Sequence, residues 1–163
     1  MLVMGVVDIP YVDQSPPKKA AKARKGKAAK PKKPAKGKKG VQQTTGEVAE
    51  ILEDKYHVME HYVHDSMPYI QRCLIESLEG SIVNLSIGLG VPATPFEGAN
   101  DLIAQNFRDF LDRSVIETMG IPGVPTQAAK DGVNHRLKLK KGNRRPSFID
   151  TGLYQTSAKV WTE

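Results

Sequence analysis

The stretch PPKKAAKARKGKAAKPKKPAKGKKG, residues 16–40, sets the strongest limit on what this chain can fold into. It is built almost wholly of Lys, Ala, Pro and Gly, has no apolar periodicity and gathers like charges. Such a segment cannot bury enough surface to offset the entropy of ordering it, and in isolation it is expected to be disordered. Any core must come from the residues on either side. The sequence therefore divides into an extended arm at 1–15, a basic low-complexity segment at 16–44, and a small assembly-sized domain at 45–163. The 163 residues suffice for one domain with a modest core.

The formal net charge of +6 hides this division. Lys18, Lys19, Lys22, Arg24, Lys25, Lys27, Lys30, Lys32, Lys33, Lys36, Lys38 and Lys39 supply twelve of the 24 basic residues, with no acid among them. The remaining twelve face 18 Asp and Glu, a net of −6. A second basic stretch lies at 130–145, where Arg136, Lys138, Lys140, Lys141, Arg144 and Arg145 form a contact loop. An acidic body with a basic tail and a basic loop points to charged partners, either DNA phosphates or acidic protein. The tail has no interleaved aromatic residue, so it offers phosphate neutralisation rather than base stacking.

Other classes are excluded more simply. No apolar run is long enough for a membrane-spanning helix, and no membrane partner is expected. The N-terminus has no basic run ahead of its apolar residues and no small-residue cleavage pattern, so no signal peptide is expected. The single Cys73 rules out an internal disulfide and a Cys-based zinc site, which fits a reducing cytosolic origin.

Val3, Val6, Val7, Ile9 and Tyr11 favour an N-terminal strand, with Pro10 confining it to a sheet edge, on its own chain or on another subunit. Residues 45–80 carry apolar positions at three- and four-residue steps. Thr45 is placed at the N-cap, a break or kink at Ser66–Pro68, and an end at Gly80. Residues 81–98 read either as a helix continuing towards Gly88 or as a short strand. A helix is predicted over 99–119, capped by Asn100, striped by Phe107, Phe110 and Leu111, and stopped by Gly120. Thr126 caps a third, short helix running towards Leu137, weakened by Gly132. A final strand is expected over 153–162. The fold class is α+β, with two or three helices on a small antiparallel sheet.

His57, His61 and His64 fall within about 60° of one another on a helical wheel, with Glu50, Glu53 and Glu60 on the same face. The plain reading is a solvated polar face. A divalent metal would need further converging ligands, and docking of a neighbour's Lys tail is the stronger functional alternative. No nucleotide-binding loop, zinc-protease motif or nucleophile elbow is present, and no cofactor is expected. Asp150, followed by Thr-Gly, is a turn residue rather than a catalytic acid. The chain is expected not to be an enzyme.

The C-terminal stretch GVPTQAAKDGVNHRLKLKKGNRRPSFIDTGLYQTSAKVWTE resembles the signature of small virion-assembly proteins of tailed bacteriophages, the tail-completion and head–tail joining (neck) proteins. Gly123-Val124-Pro125-Thr126 matches their turn-rich segment. Arg136 and Lys138 match the basic end of a short helix. Pro146, Asp150, Thr151, Gly152, Leu153 and Ser157 match the closing motif. The family's usual Leu-basic-x-Ser is here Leu153-Tyr154-Gln155-Thr156-Ser157. The resemblance covers residues 99–163 and implies a structural protein of the virion neck or tail, made in the host cytoplasm. It would assemble as a homo-oligomeric ring and contact other neck or tail proteins, with DNA a further partner of the basic tail. In that setting Gly152 permits a positive φ, Asp150 and Thr151 bond nearby backbone, and the last strand offers an edge to a neighbour. The rival expectation is a nucleic-acid-binding protein acting through the tail alone.

Overall fold

A computed structural model describes residues 1–11, 43–134 and 141–162. The chain's two ends pair first. β1 (Leu2–Val6) runs antiparallel to β2 (Ala158–Thr162), with Leu2 opposite Thr162 and Val6 opposite Ala158. The expected N-terminal edge strand thus finds its partner at the other end of its own chain. Trp161 covers Gly5, where an added Cβ would meet the indole at 2.9 Å.

The chain beyond β1 wraps the start of α1 (Thr45–Tyr56). Thr44 is the N-cap and forms a capping box with Glu47. Thr45, predicted as the cap, lies one residue inside and is fully buried. Its hydroxyl donates to the Val7 carbonyl at 2.6 Å and accepts from Ile9 N–H at 2.7 Å, so it is unavailable for capping. The Asp8 carboxylate accepts from Gly46 N–H at 2.9 Å, and hydrogen bonds from Thr44 and Gly46 hold its pKa below the usual value. Tyr11 N–H donates to the Gln43 carbonyl at 3.1 Å. The chain therefore leaves the described structure and re-enters it at neighbouring points, and the basic segment joins two tethered ends. All twelve of its Lys and Arg lie outside the described residues.

α2 (Val58–Ser86) follows α1 after a single left-handed residue, His57, at φ 48° and ψ 46°. The break falls there, not at Ser66–Pro68, and Pro68 sits inside α2. Pro68 and His64 both lie on the exposed face, so the carbonyl that loses its donor is open to water. Gly80 does not end the helix. It continues to Ser86 and closes at Gly88 with φ +80°, which decides 81–86 as helix rather than strand.

α3 (Glu97–Asp112) packs across α2 and carries the predicted stripe. It starts earlier than expected, with Phe96 rather than Asn100 at the cap position. It ends at Asp112, and Ser114, at φ 56°, leads into a separate 3₁₀ turn, Val115–Thr118. Tyr62 of α2 stands edge-on to Phe107 (centroids 5.0 Å apart) and Phe110 (5.4 Å), and its hydroxyl donates to the Ile103 carbonyl at 2.9 Å. Tyr154 meets the other side of Phe107 at 6.2 Å. These rings, with Val58, Leu111 and Ile116, form the core. A hydroxyl tied to a carbonyl lets Tyr62 be fully buried without leaving a polar group unpaired.

α4 (Gln127–Lys130) is capped by Thr126 as predicted, but is one turn long. Gly132 ends it at φ +61°, where a Cβ would lie 2.4 Å from the Asn143 carbonyl oxygen. The glycine marks a crossing of two backbones, not a weak point in a longer helix. The predicted terminal strand is also divided: α5 (Leu153–Ser157) is helical, and the extended chain begins only at Ala158. The fold is α+β, with five α-helices and one two-stranded antiparallel sheet among the described residues.

Candidate functional site

Two places gather polar side chains. The first is the joint between α1 and α2. The Glu53 carboxylate accepts from Met59 N–H at 2.8 Å and Glu60 N–H at 3.2 Å, satisfying donors at the start of α2 that would otherwise lack partners. His57 Nδ1 lies 3.1 Å from Glu60 Oε2, with both side chains mostly exposed. His57, His61 and His64 do line one shallow depression with Glu60. Ligand atoms of Glu53, His57 and Glu60 lie within 4.8 Å of one another, whereas His61 and His64 fall outside that group. Two carboxylates and one imidazole suit a divalent cation, but Glu53 is already occupied as a cap and only His57 is shared with the predicted trio. The cluster's visible work is to stitch two helices across a left-handed residue.

The second place is built by the C-terminal motif. Arg145, predicted as a contact residue, turns inward. Its backbone N–H donates to Ala129, and its guanidinium donates to the carbonyls of Val133 (2.9 Å) and Ile149 and pairs with Asp150 at 3.2 Å. Asn134 donates to the Asp150 carbonyl at 3.4 Å. Gly152 has the expected positive φ, 76°, and opens α5. Thr156 folds back on the Gly152 carbonyl, and Ser157 donates to the Tyr154 carbonyl at 2.9 Å. Gln155 reaches the Arg108 carbonyl at 2.9 Å, which ties the motif to α3. Pro146 and Leu153 are half-buried, and Thr151 is exposed.

Glu117, which sequence reasoning did not single out, is the centre of this clasp. Its side chain is only 6% exposed and takes the Arg144 guanidinium at 2.6 Å on Oε2. Oε1 accepts from Ser147 N–H at 2.9 Å and Ser147 Oγ at 2.7 Å. The Ser147 hydroxyl oxygen in turn accepts from Thr126 N–H at 3.3 Å. Burial raises the Glu117 pKa, but the hydrogen bonds from Ser147 and Arg144 outweigh it and hold the carboxyl below its usual value. Phe148 adopts φ 69°, rare for a bulky residue, and its ring packs on Tyr56 at 5.0 Å. Of the predicted basic loop, Lys141 is exposed, Arg144 and Arg145 are engaged within the chain, and Arg136, Lys138 and Lys140 lie outside the described residues.

No helix among the described residues is long and apolar enough to cross a membrane. Comparison with protein-family models, curated proteins and solved structures returned no significant match.

Proposed function

We propose that this chain is a non-enzymatic virion protein of a tailed bacteriophage, a ring-forming neck or tail-completion component that joins head and tail. The observation that carries the reading is the clasp. The described parts of the stretch that resembles the neck and tail-completion signature, 123–134 and 141–157, are drawn together around Glu117 and Arg145 into one unit joined to α3. Such a C-terminal unit next to the terminal strands is suited to repeated contact between copies, because among the described residues each strand has one strand neighbour and one edge left over. The acidic body and the basic segment supply opposite charges for contact with further neck or tail proteins. The test is mass spectrometry of density-purified particles from the source culture. A fixed copy number, on the order of one small ring per particle, supports the reading. Absence from particles removes it.

A second reading is favoured by one feature, the twelve Lys and Arg of 18–39 without an acid. In it the chain binds nucleic acid without sequence preference, through the basic segment alone. DNA retention that falls steeply with salt and vanishes on deletion of 18–39, together with absence from particles, would establish that reading instead.

A further inference from the structure

α2 outlasts the elements that cover it. Beyond half-buried Leu74, and among the described residues, its apolar side chains are largely exposed: Val83 at 56%, and Ile75, Leu78, Ile82 and Leu85 at 54%, 49%, 57% and 61%. Ile75, Leu78, Ile82 and Leu85 are spaced by three, four and three residues, the spacing of a coiled-coil seam. Ile87 and Leu89, just past the helix end, are more exposed still. Along the seam runs an apolar groove of about 320 Å³, with Leu74, Ile75 and Leu78 on one wall and Met1, Leu2 and Phe96 on the other.

We propose that this face binds a second copy of the chain, with the two α2 ends packed antiparallel about a two-fold axis level with residue 80. The seam is self-complementary in that arrangement. Reversing the helix about residue 80 sets Ile75 against Leu85 of the other copy and Leu78 against Ile82, so every layer pairs one Ile with one Leu. A two-fold contact demands such a patch, the same on both partners. The segment beyond Leu85, with Ile87 and Leu89, then lies along the groove beside Met1 and Phe96. The area also suffices. Ile75, Leu78, Ile82, Leu85, Ile87 and Leu89, each about half exposed or more, present on the order of 600 Å² per copy, and the groove's outer wall brings this close to the ~800 Å² each partner gives to a specific interface. Glu76 and Glu79 stay at the wet rim, where charge costs little. The pairing is independent of the neck or tail reading, since it needs no virion component.

The test uses the full chain at tens of micromolar in sedimentation and light scattering. The expected mass is twice that of one chain, or an even multiple if ring contacts add to the pair. Ile82→Asp with Leu85→Asp should halve that mass and leave the circular dichroism unchanged, since both side chains are exposed within one copy. A monomeric wild type, or a mass the double substitution leaves intact, overturns the proposal. Single Leu78→Cys and Ile82→Cys chains separate the geometries. Antiparallel pairing predicts that oxidation links the two variants to each other far more than either to itself, with buried Cys73 not competing. Preferential linking of each variant to itself means parallel pairing and also overturns it.

Discussion

Glu117 shows how one side chain can hold together segments far apart in sequence. It accepts three hydrogen bonds from Arg144 and Ser147, about thirty residues onward, and is nearly buried. Its pKa is lower in the folded chain than its ordinary value of 4.5. The stability it contributes is therefore fully present above that value and is lost as pH falls from about 5 through the folded pKa. Glu117→Gln should lower stability at pH 7 by about 1–3 kcal/mol, because charge-assisted bonds to a buried carboxylate are replaced by weaker ones. It should also flatten the acid limb of the stability profile, both measured by denaturant titration across pH. Equal acid limbs for variant and wild type would show that other carboxylates govern acid unfolding. Gly132 makes the complementary case, because its missing side chain is the functional feature. With φ +61° and the Asn143 carbonyl where a Cβ would stand, Gly132→Ala should cost more than about 2 kcal/mol. A melting temperature within a degree of wild type would contradict that crossing.

At the scale of elements, α2 carries a proline that its packing does not require. Pro68 is exposed and interrupts one intrahelical bond, so Pro68→Ala should restore the donor to His64 and stabilise the chain by roughly 1–3 kcal/mol, seen as a higher melting temperature. A lower melting temperature would mean that the backbone Pro68 fixes is needed for the packing of α2 on α3. The same helix shows which parts of the fold are legible in sequence. The stripe of α3 could be read because Phe107, Phe110 and Leu111 repeat at helical spacing and are in fact core. The Thr126 cap and the positive φ of Gly152 were legible because their chemistry is local. The break at His57 was not, since it depends on Glu53 reaching forward to cap the next helix. Nor was α5, since Tyr154 and Gln155 are bound to Phe107 and Arg108 of α3, about 47 residues away. Of the candidate site, the turn residues were visible, whereas Arg145 read as a surface contact because a sequence does not reveal the carbonyls that surround a guanidinium.

For the whole molecule, the decisive arrangement is where the chain leaves and re-enters. Asp8 caps Gly46, Thr45 binds Val7 and Ile9, and Tyr11 bonds Gln43, so the two ends of 12–42 are fixed side by side by the body itself. The body's contacts to these ends do not depend on what lies between them. Replacing 12–42 with a four-residue Gly/Ser linker should therefore preserve the fold. It should raise stability by about 1–2 kcal/mol, because a shorter loop costs less entropy to close. The same change removes all twelve charges of the basic segment and leaves an acidic body, which DNA phosphates repel. Three readouts on one variant then separate the roles. Melting reports whether the body stands alone, DNA retention reports whether the basic segment carries nucleic-acid contact, and the α2 pairing should persist, because its seam lies wholly within 75–89. A variant that melts far below wild type would show that the body needs residues 12–42. A variant that folds and pairs but no longer holds DNA would assign assembly to the body and charge neutralisation to the basic segment.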